Sequence, residues 1–447
     1  MKKLFGTDGI RGEAGTFPLD ASTISAIAAS LTKHITHENG NSPKFIIGRD
    51  TRESGVWIEK AFNLGAVSAG AVCESTGVIP TPGVAYLTKS EEFDAGIVIS
   101  ASHNPFQDNG LKVFLPSGRK LSKEMETAIE TDLQVKISLT ETNSEPINIS
   151  KISDYQETYL QYLTNSFSSL NLENTKIVID CANGAASNLA PDLFRHFGSN
   201  VVVINNQPDG ININENCGSL HLECLQEKLL EEKADFGVAF DGDADRSLFV
   251  DENGELLDGD GVLWIMAKHL QSEGKLSKDA VVATVMSNIG LEIALSSRNI
   301  KLLRTPVGDK YVLQKLLSSD TSLGGEQSGH ILFPRRSIVG DGMLTALYLL
   351  EALQTNDSTL AKMRRGFEQF PQTLVNVKVR EKRDFEDIPQ IDSAVKNLNE
   401  QLGDTGRLLL RYSGTENLAR IMIEGENQAE IEQSANKLAE IIEKYLG

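Results

Sequence analysis

Lys44-Phe45-Ile46-Ile47-Gly48-Arg49-Asp50 is the stretch that decides the fold: a short, β-rich apolar run, a glycine-containing polar turn, then a helical stretch. The same unit starts again at Lys176-Ile177-Val178-Ile179-Asp180 and at Ala280-Val281-Val282-Ala283-Thr284-Val285. Strands alternating with helices build a mostly parallel sheet covered by helices. Three such units, spaced by roughly a hundred residues, predict three similar mixed-sheet α/β domains of ordinary size. Helix signals agree. Asp20 can cap a helix that puts Ile24, Ile27, Ala28, Leu31 and Ile35 on one face. Residues 154–162 open the second unit after a polar segment at 138–150, and the polar turn Asp251-Glu252-Asn253-Gly254-Glu255 separates the second from the third.

The tail reads differently. Strand-like runs at 373–379, 407–411 and 419–423 precede one helix, capped by Asn427 with Glu430 and lined by Ile431, Ala435, Leu438 and Ile442. This predicts a smaller C-terminal α+β domain. The expected division is 1–150, 151–254, 255–368 and 369–447.

Composition limits the function. A chain of 447 residues with 40% hydrophobic and 23% charged residues is an ordinary globular protein. Its net charge of −19 argues against general nucleic-acid or anionic-membrane binding, and an anionic substrate needs a locally basic cleft. Cys73, Cys181, Cys217 and Cys224 form no C-x-x-C pair and suit a reducing compartment. No apolar run reaches the ~18 residues that span a bilayer. Lys2-Lys3-Leu4-Phe5 runs straight into Gly6-Thr7-Asp8-Gly9, which cuts off any signal-peptide core, so the cytoplasm is the expected compartment.

The chemistry lies in two motifs. Ser102 sits in Ser100-Ala101-Ser102-His103-Asn104-Pro105, and Asp241-Gly242-Asp243-Ala244-Asp245-Arg246 follows far downstream. A serine hydroxyl carries phosphate poorly unless a cation neutralises the developing charge. In an extended segment Asp241, Asp243 and Asp245 point the same way, and hard oxygen ligands on one face suit Mg²⁺. An EF-hand loop is the competing reading, and Glu252 does fall at its twelfth position. Arg246, however, stands where that loop needs Gly, and the flanks read as strands. Ser102 lies in no Gly-x-Ser-x-Gly elbow, and adjacent residues of a strand face apart, so Ser102 and His103 do not form a hydrolase dyad.

Other motifs supply supporting groups. Arg411-Tyr412-Ser413-Gly414-Thr415-Glu416 offers hydroxyls, a Gly and a guanidinium to a phosphate, with Arg420 as a second fork; an ordinary turn is the alternative. Gly324-Gly325-Glu326-Gln327-Ser328-Gly329-His330 lacks the Lys-Ser/Thr ending of a nucleotide loop. Glu326 and Ser328 could instead bond neighbouring sugar hydroxyls, unless the segment is only a Gly-rich turn. Arg11 stands on a Gly-flanked loop at 6–12, and Lys112 follows closely after the serine; surface exposure is the default for both.

In this order, the motifs resemble those of the α-D-phosphohexomutase superfamily, which includes phosphoglucomutases and phosphomannomutases. The likeness covers essentially the whole chain: residues 5–12, 100–105, 241–246 and 325–330 match its opening motif, serine loop, metal loop and sugar loop. Pro208-Asp209-Gly210-Ile211-Asn212-Ile213-Asn214, Cys217-Gly218-Ser219 and Gln327 resemble its glucosamine branch. Asn417 departs from the family, standing where Pro is common.

The resemblance implies four domains in a heart shape around a central cleft, one motif to each. It implies one Mg²⁺ per chain, held by Ser102 and by Asp241, Asp243 and Asp245, with Arg246 assisting transfer. Arg411, Ser413, Gly414, Thr415 and Arg420 would clamp the non-reacting phosphate, and Glu326 and Ser328 would grip the sugar. Arg11, Lys112, His103 and His330 are the candidates for proton transfer. The implied reaction interconverts glucosamine 6-phosphate and glucosamine 1-phosphate, with glucosamine 1,6-bisphosphate as intermediate and activator, and supplies amino-sugar precursor for the cell envelope. A glucose or mannose phosphate mutase is the alternative. The implied partners are small sugar phosphates, with room for a homodimer. A metal-dependent phosphatase and a non-catalytic sugar-phosphate or Ca²⁺-binding protein remain as other classes. Phosphate release and dispensability of Ser102 distinguish them.

Overall fold

The computed structural model describes residues 4–6, 8–134, 146–413 and 416–447. Its first sheet contains β1 (Ile10–Glu13), β2 (Lys44–Arg49), β3 (Val72–Val78), β4 (Ala95–Ile99) and β5 (Asp108–Phe114) in the order β1-β5-β4-β2-β3. The second contains β6 (Lys176–Asp180), β7 (Asn200–Ile204), β8 (Phe236–Phe240), β9 (Ser247–Val250) and β10 (Leu256–Leu257) in the order β10-β9-β8-β6-β7. The third contains β11 (Ala280–Thr284), β12 (Lys301–Thr305), β13 (Gly324–Gly325) and β14 (Ile331–Leu332) in the order β12-β11-β13-β14.

One plan underlies all three. The runs picked out in the sequence become the central strands β2, β6 and β11. Each is flanked by two parallel neighbours, and each sheet then adds an antiparallel strand, β5, β9 or β14. The last parallel strand (β4, β8 or β13) and its antiparallel partner are joined by a short loop. Those three loops carry Ser102, the Asp triplet and Glu326. Ligand sites in α/β folds form at the carboxyl ends of parallel strands, so the repeat itself places all three motifs where chemistry is done.

The core joins these units. One apolar cluster runs from Ile46, Val84 and Phe114 through Tyr159, Phe194 and Phe249 to Trp264, Leu291 and Leu347. The polar turn at 251–255 closes a β9–β10 hairpin, in which Leu256 and Leu257 pair with Val250 and Phe249. The chain then leaves the second sheet at Asp258, which caps the helix Gly259–Ser272. Asp20 caps Ala21–Asn39 as expected, with its carboxylate accepting from Thr23 N at 3.0 Å.

The fourth unit is an antiparallel sheet of β15 (Gln372–Lys378), β16 (Arg407–Tyr412) and β17 (Leu418–Glu424), ordered β15-β17-β16, with its own core. Two helices pack on it, where the sequence reading had one: Gln428–Leu446 and also Pro389–Leu402, which buries Ile391 and Leu398. A small polar joint docks this unit on the third. Buried Glu424 accepts from Arg407 at 2.9 Å and from Ile289 N at 3.1 Å, and Arg407 donates to Ser287 O at 3.0 Å. Among the described residues no helix is long and apolar enough to cross a membrane.

Candidate active site

Ser102 is fully buried in the loop after β4, with φ +56°. A non-glycine residue in the left-handed region costs about 1 kcal/mol or more and persists only when its surroundings fix it. Its Oγ donates to Asp241 Oδ2 at 2.6 Å, so the serine of the first unit meets the triplet of the second. Because the loop is not extended, Ser102 and His103 do not face apart: Ser102 Oγ lies 3.3 Å from His103 Nδ1. The expectation of a strand-like separation fails there. Among the described residues no carboxylate hydrogen-bonds to this imidazole. Its Nδ1 instead meets Arg246 Nη1 at 3.0 Å, and burial, with the Arg246 and Arg11 guanidiniums, lowers its pKa to about 4.

Asp241, Asp243 and Asp245 do converge, with one oxygen from each lying within 4.8 Å of the others. The cause is not strand alternation. Residues 241–246 form a turn between β8 and β9, with Ala244 at φ +53°, and the turn folds the three carboxylates inward. Strands rather than helices flank it, against an EF-hand. Burial and the neighbouring Asp245 and Asp243 carboxylates push Asp241 well above the usual range. Burial works the same way on Asp245, but Lys112, His330 and Arg246 hold it low.

These groups fit a divalent cation. Asp243 Oδ1 and Asp245 Oδ1 are buried without a hydrogen-bond partner, and a hard cation is what such orphaned oxygens accept. Lys112, 1% exposed, shows the appetite of the site for positive charge. Its Nζ donates to Asp243 Oδ2 at 2.7 Å and Asp245 Oδ2 at 3.3 Å, and lies 3.4 Å from Asp8 Oδ2. Burial opposes its charge, but Asp243, Asp8 and Asp245 hold the ammonium above the usual lysine range.

Beside the triplet lies a cavity of about 360 Å³ between the first three units, walled by Asp8, Arg11, Asp245, Arg246, Glu326 and His330 among others. Arg11 pairs with Asp8 at 2.5 Å. Glu326 accepts from Gly308 N at 3.1 Å, and His330 Nδ1 lies 3.6 Å from Asp245 Oδ1. A larger cavity, about 560 Å³, lies behind Lys112 against the helix Asp309–Ser319. Its walls are mainly apolar and include neither Ser102 nor the triplet.

The fourth-unit residues are not among the walls of the 360 Å³ cavity, and neither is exposed Ser328. Arg411 and Arg420 are directly opposite on β16 and β17, so two guanidiniums share one face. Arg420 reaches Glu416 at 3.2 Å, its Nε is buried without a partner, and Ser413 Oγ accepts from Glu416 N at 3.3 Å. Gly414 and Thr415 lie outside the described residues.

Models of the phosphoglucomutase/phosphomannomutase family match all four units: α/β/α domain I at residues 2–138, domain II at 157–254, domain III at 258–370 and the C-terminal domain at 374–441. The chain is 46% identical over 446 residues to a phosphoglucosamine mutase of Solibacter usitatus, covering 100% of this chain and 99% of that one. It is 45% identical to a phosphoglucosamine mutase of Caldicellulosiruptor saccharolyticus, with both chains fully covered. The chain belongs to the phosphoglucosamine mutase family.

Solved structures of this superfamily share the fold at low identity. A phosphoglucomutase/phosphomannomutase family protein of Burkholderia thailandensis matches with a TM-score of 0.80 at 22% identity, covering 99% of this chain and 98% of that one. The Aspergillus fumigatus N-acetylphosphoglucosamine mutase, solved with GlcNAc-6P and magnesium, gives 0.68 at 18%, covering 99% and 95%.

Several residues of this phosphoglucosamine mutase family site escaped the sequence reading. Thr81 donates from N to Asp243 O at 3.0 Å and from Oγ1 to Asp243 Oδ2 at 2.5 Å. Asp8 joins Arg11, Lys112 and Lys120, and Lys120 also reaches Asp309 at 2.5 Å. Asp8 was within view in the 5–12 motif. Fully buried Arg52 gave no signal, because an isolated arginine reads as surface. Gln327 turns away from the cavity, and its amide donates to Asp258 Oδ2 at 3.1 Å.

Proposed function

We propose that this chain interconverts glucosamine 6-phosphate and glucosamine 1-phosphate through phosphorylated Ser102. The observation that carries the reading is the buried Ser102 Oγ at 2.6 Å from Asp241, in a triplet with two orphaned carboxylate oxygens, beside a cavity of about 360 Å³. Full-length identity to phosphoglucosamine mutases supports the substrate class.

In this reading Ser102 gives its phosphoryl group to the free hydroxyl of the sugar phosphate. The 1,6-bisphosphate so formed turns over, and its other phosphate returns to Ser102. Asp241, Asp243 and Asp245 would hold Mg²⁺, which when bound neutralises the charge of the transferring phosphoryl group. Arg246 adds a guanidinium on the same side, 3.8 Å from Asp245. Glu326 and Ser328 orient the sugar, and Arg411, Ser413, Gly414, Thr415 and Arg420 clamp the idle phosphate. Of the candidates grouped around the site, neutral His103 can take the proton of the attacking hydroxyl, whereas Lys112, held as an ammonium, can only donate one; Arg11 and His330 line the cavity beside them. Of the cavity's carboxylates, Asp8 and Asp309 are already paired with Lys120, which leaves Glu326 as the acceptor offered to the 2-amino group. The cytoplasm, where sugar phosphates are made, is the proposed setting.

Parallel coupled assays, each primed with the matching hexose bisphosphate, test the substrate. Glucosamine 6-phosphate should exceed glucose 6-phosphate at least ~10-fold in kcat/KM, about 1.4 kcal/mol, which one good polar contact supplies. Equal or better turnover of glucose or mannose phosphates would move the chain to the neighbouring branch.

A further inference from the structure

The serine loop is held from two sides by side chains with no direct part in the chemistry. Arg52 Nη2, of the first unit, donates to Ser102 O at 3.1 Å and also to Asn104 O. Asn214 Nδ2, of the second unit, donates to the same two carbonyls, at 2.9 and 3.1 Å. Both carbonyls flanking His103 are therefore gripped twice. Arg52 is itself locked by an ion pair with fully buried Asp50 and by its own N–H, which donates to Asp50 Oδ1 at 3.0 Å. Asn214 is in the left-handed region at φ +59°, and its N–H donates to Ala182 O at 2.9 Å. A turn built on Asp209 Oδ1, which accepts from Ile211 N and Asn212 N at 2.9 Å, leads into it.

The metal loop closes on the same point. A Cβ at Gly242 would lie 2.6 Å from Ser102 O and 2.9 Å from Asn214 Nδ2, so only glycine lets the three segments meet. Left-handed Ser102 is a conformation its neighbours must maintain, and these carbonyl bonds are what fix it.

We propose that Asn214, acting across the unit boundary with Arg52, is a positioning residue that sets Ser102 Oγ against the Asp triplet. The proposal rests on the phosphoserine reading above. In-line phosphoryl transfer depends on placement within fractions of an ångström, so a loosened carrier loses rate rather than substrate affinity. Asn214 lies in the segment that carried the branch resemblance, and its amide is spent on the serine loop rather than on a sugar.

The test uses the full-length protein and two variants. Asn214→Asp keeps the shape but turns the donor into an acceptor facing two carbonyls, and Asn214→Ala removes it. Steady-state kinetics should show kcat at least 30-fold lower in both, with KM for glucosamine 6-phosphate within twofold of wild type. Loading of Ser102 from glucose 1,6-bisphosphate, followed by intact-protein mass spectrometry, should slow in parallel. Asn212→Ala, which alters the same turn without touching the serine loop, should keep kcat within twofold. Rates are taken per folded molecule from thermal melts, and Asn214→Ala carries the test if Asn214→Asp does not fold. Wild-type kcat and loading in the Asn214 variants, a change confined to KM, or an equal loss in Asn212→Ala would overturn the proposal. If wild type loads Ser102 but turns over no amino-sugar phosphate, the substrate reading falls, and loading rates still decide the role of Asn214.

Discussion

The seam between the first two units and the face that carries Arg411 and Arg420 are organised in opposite ways. At the seam, Ser102, Asp241, Asp243, Arg52 and Lys112 are at most 1% exposed. Bonds stitch the units together there: Thr81 N to Asp243 O at 3.0 Å, Glu53 N to Gly210 O at 2.9 Å and Thr51 Oγ1 to Asn183 O at 2.5 Å. The fourth unit has a core of its own and is joined through the Glu424–Arg407 cluster. Its two arginines stand side by side, their repulsion only partly offset by the contact of Arg420 with Glu416 when no anion is bound. Bond-making needs groups fixed in advance in a dry site, whereas gripping a phosphate that arrives and leaves needs an accessible surface charged against its own interest.

The sharpest way to break this contrast is at the seam. Ser102→Ala should lower kcat by on the order of 10³-fold or more and abolish the single phosphate expected on that residue by intact mass, with folding retained. Chelation of the wild-type protein should abolish turnover, and added Mg²⁺ should restore it. Substantial turnover in Ser102→Ala, or in fully chelated protein, would mean that the buried groups are structural only.

The contrast also explains what the sequence could and could not tell. The apolar runs at 45–47, 177–179 and 280–283 announce three parallel strands because burial on both faces leaves a continuous signature. Ser102 and the Asp triplet are visible because their chemistry is rare in combination. How they meet is not visible. The triplet converges through a turn, with Ala244 left-handed, and no period-2 rule describes that. Arg52 and Asn214 act over sequence separations of 50 and 112 residues, set only by tertiary packing. The missed helix Pro389–Leu402 is a different failure: Ile391, Val395, Leu398 and Leu402 have helical spacing in a polar sequence, and the pattern was there to read.

A middle-sized effect is expected on the open face. Arg411→Ala and Arg420→Ala should each raise KM for the sugar phosphate about tenfold, roughly the 1.4 kcal/mol of one charge-assisted contact, with a smaller loss of kcat. Because each removes one of two opposed guanidiniums, thermal stability should hold or rise. Steady-state kinetics beside thermal melts of the same preparations checks both halves. An unchanged KM in both variants would remove this face from substrate binding, and a clear loss of stability would show that the arginines serve the fold.

The smallest effect tests whether the joined core can lose a buried bond without losing chemistry. Tyr159, in the helix Ile152–Ser166, is fully buried, and its hydroxyl donates to Asp341 Oδ2 at 2.8 Å. Asp341 caps Gly342–Thr355 through Leu344 N at 2.9 Å. Burial raises its pKa to about 6, while the bonds from Leu344 and Tyr159 act to lower it. An acid whose folded pKa lies above its unfolded value, about 3.9, binds more protons folded than unfolded between the two. Its contribution to stability therefore falls as pH rises from about 4 to about 6 and is level beyond. Above pH 6 the Tyr159 hydroxyl meets a carboxylate, and below it a neutral acid. Tyr159→Phe should thus cost about 2 kcal/mol at pH 8, as for a bond to a charged acceptor, and about 1 kcal/mol or less at pH 5. Urea denaturation at both pH values measures the difference, and kcat at pH 8 should stay within twofold. An equal loss at both would mean that Asp341 does not titrate there. A large fall in kcat with little change in stability would place this bond with the working groups of the seam rather than with the core that supports them.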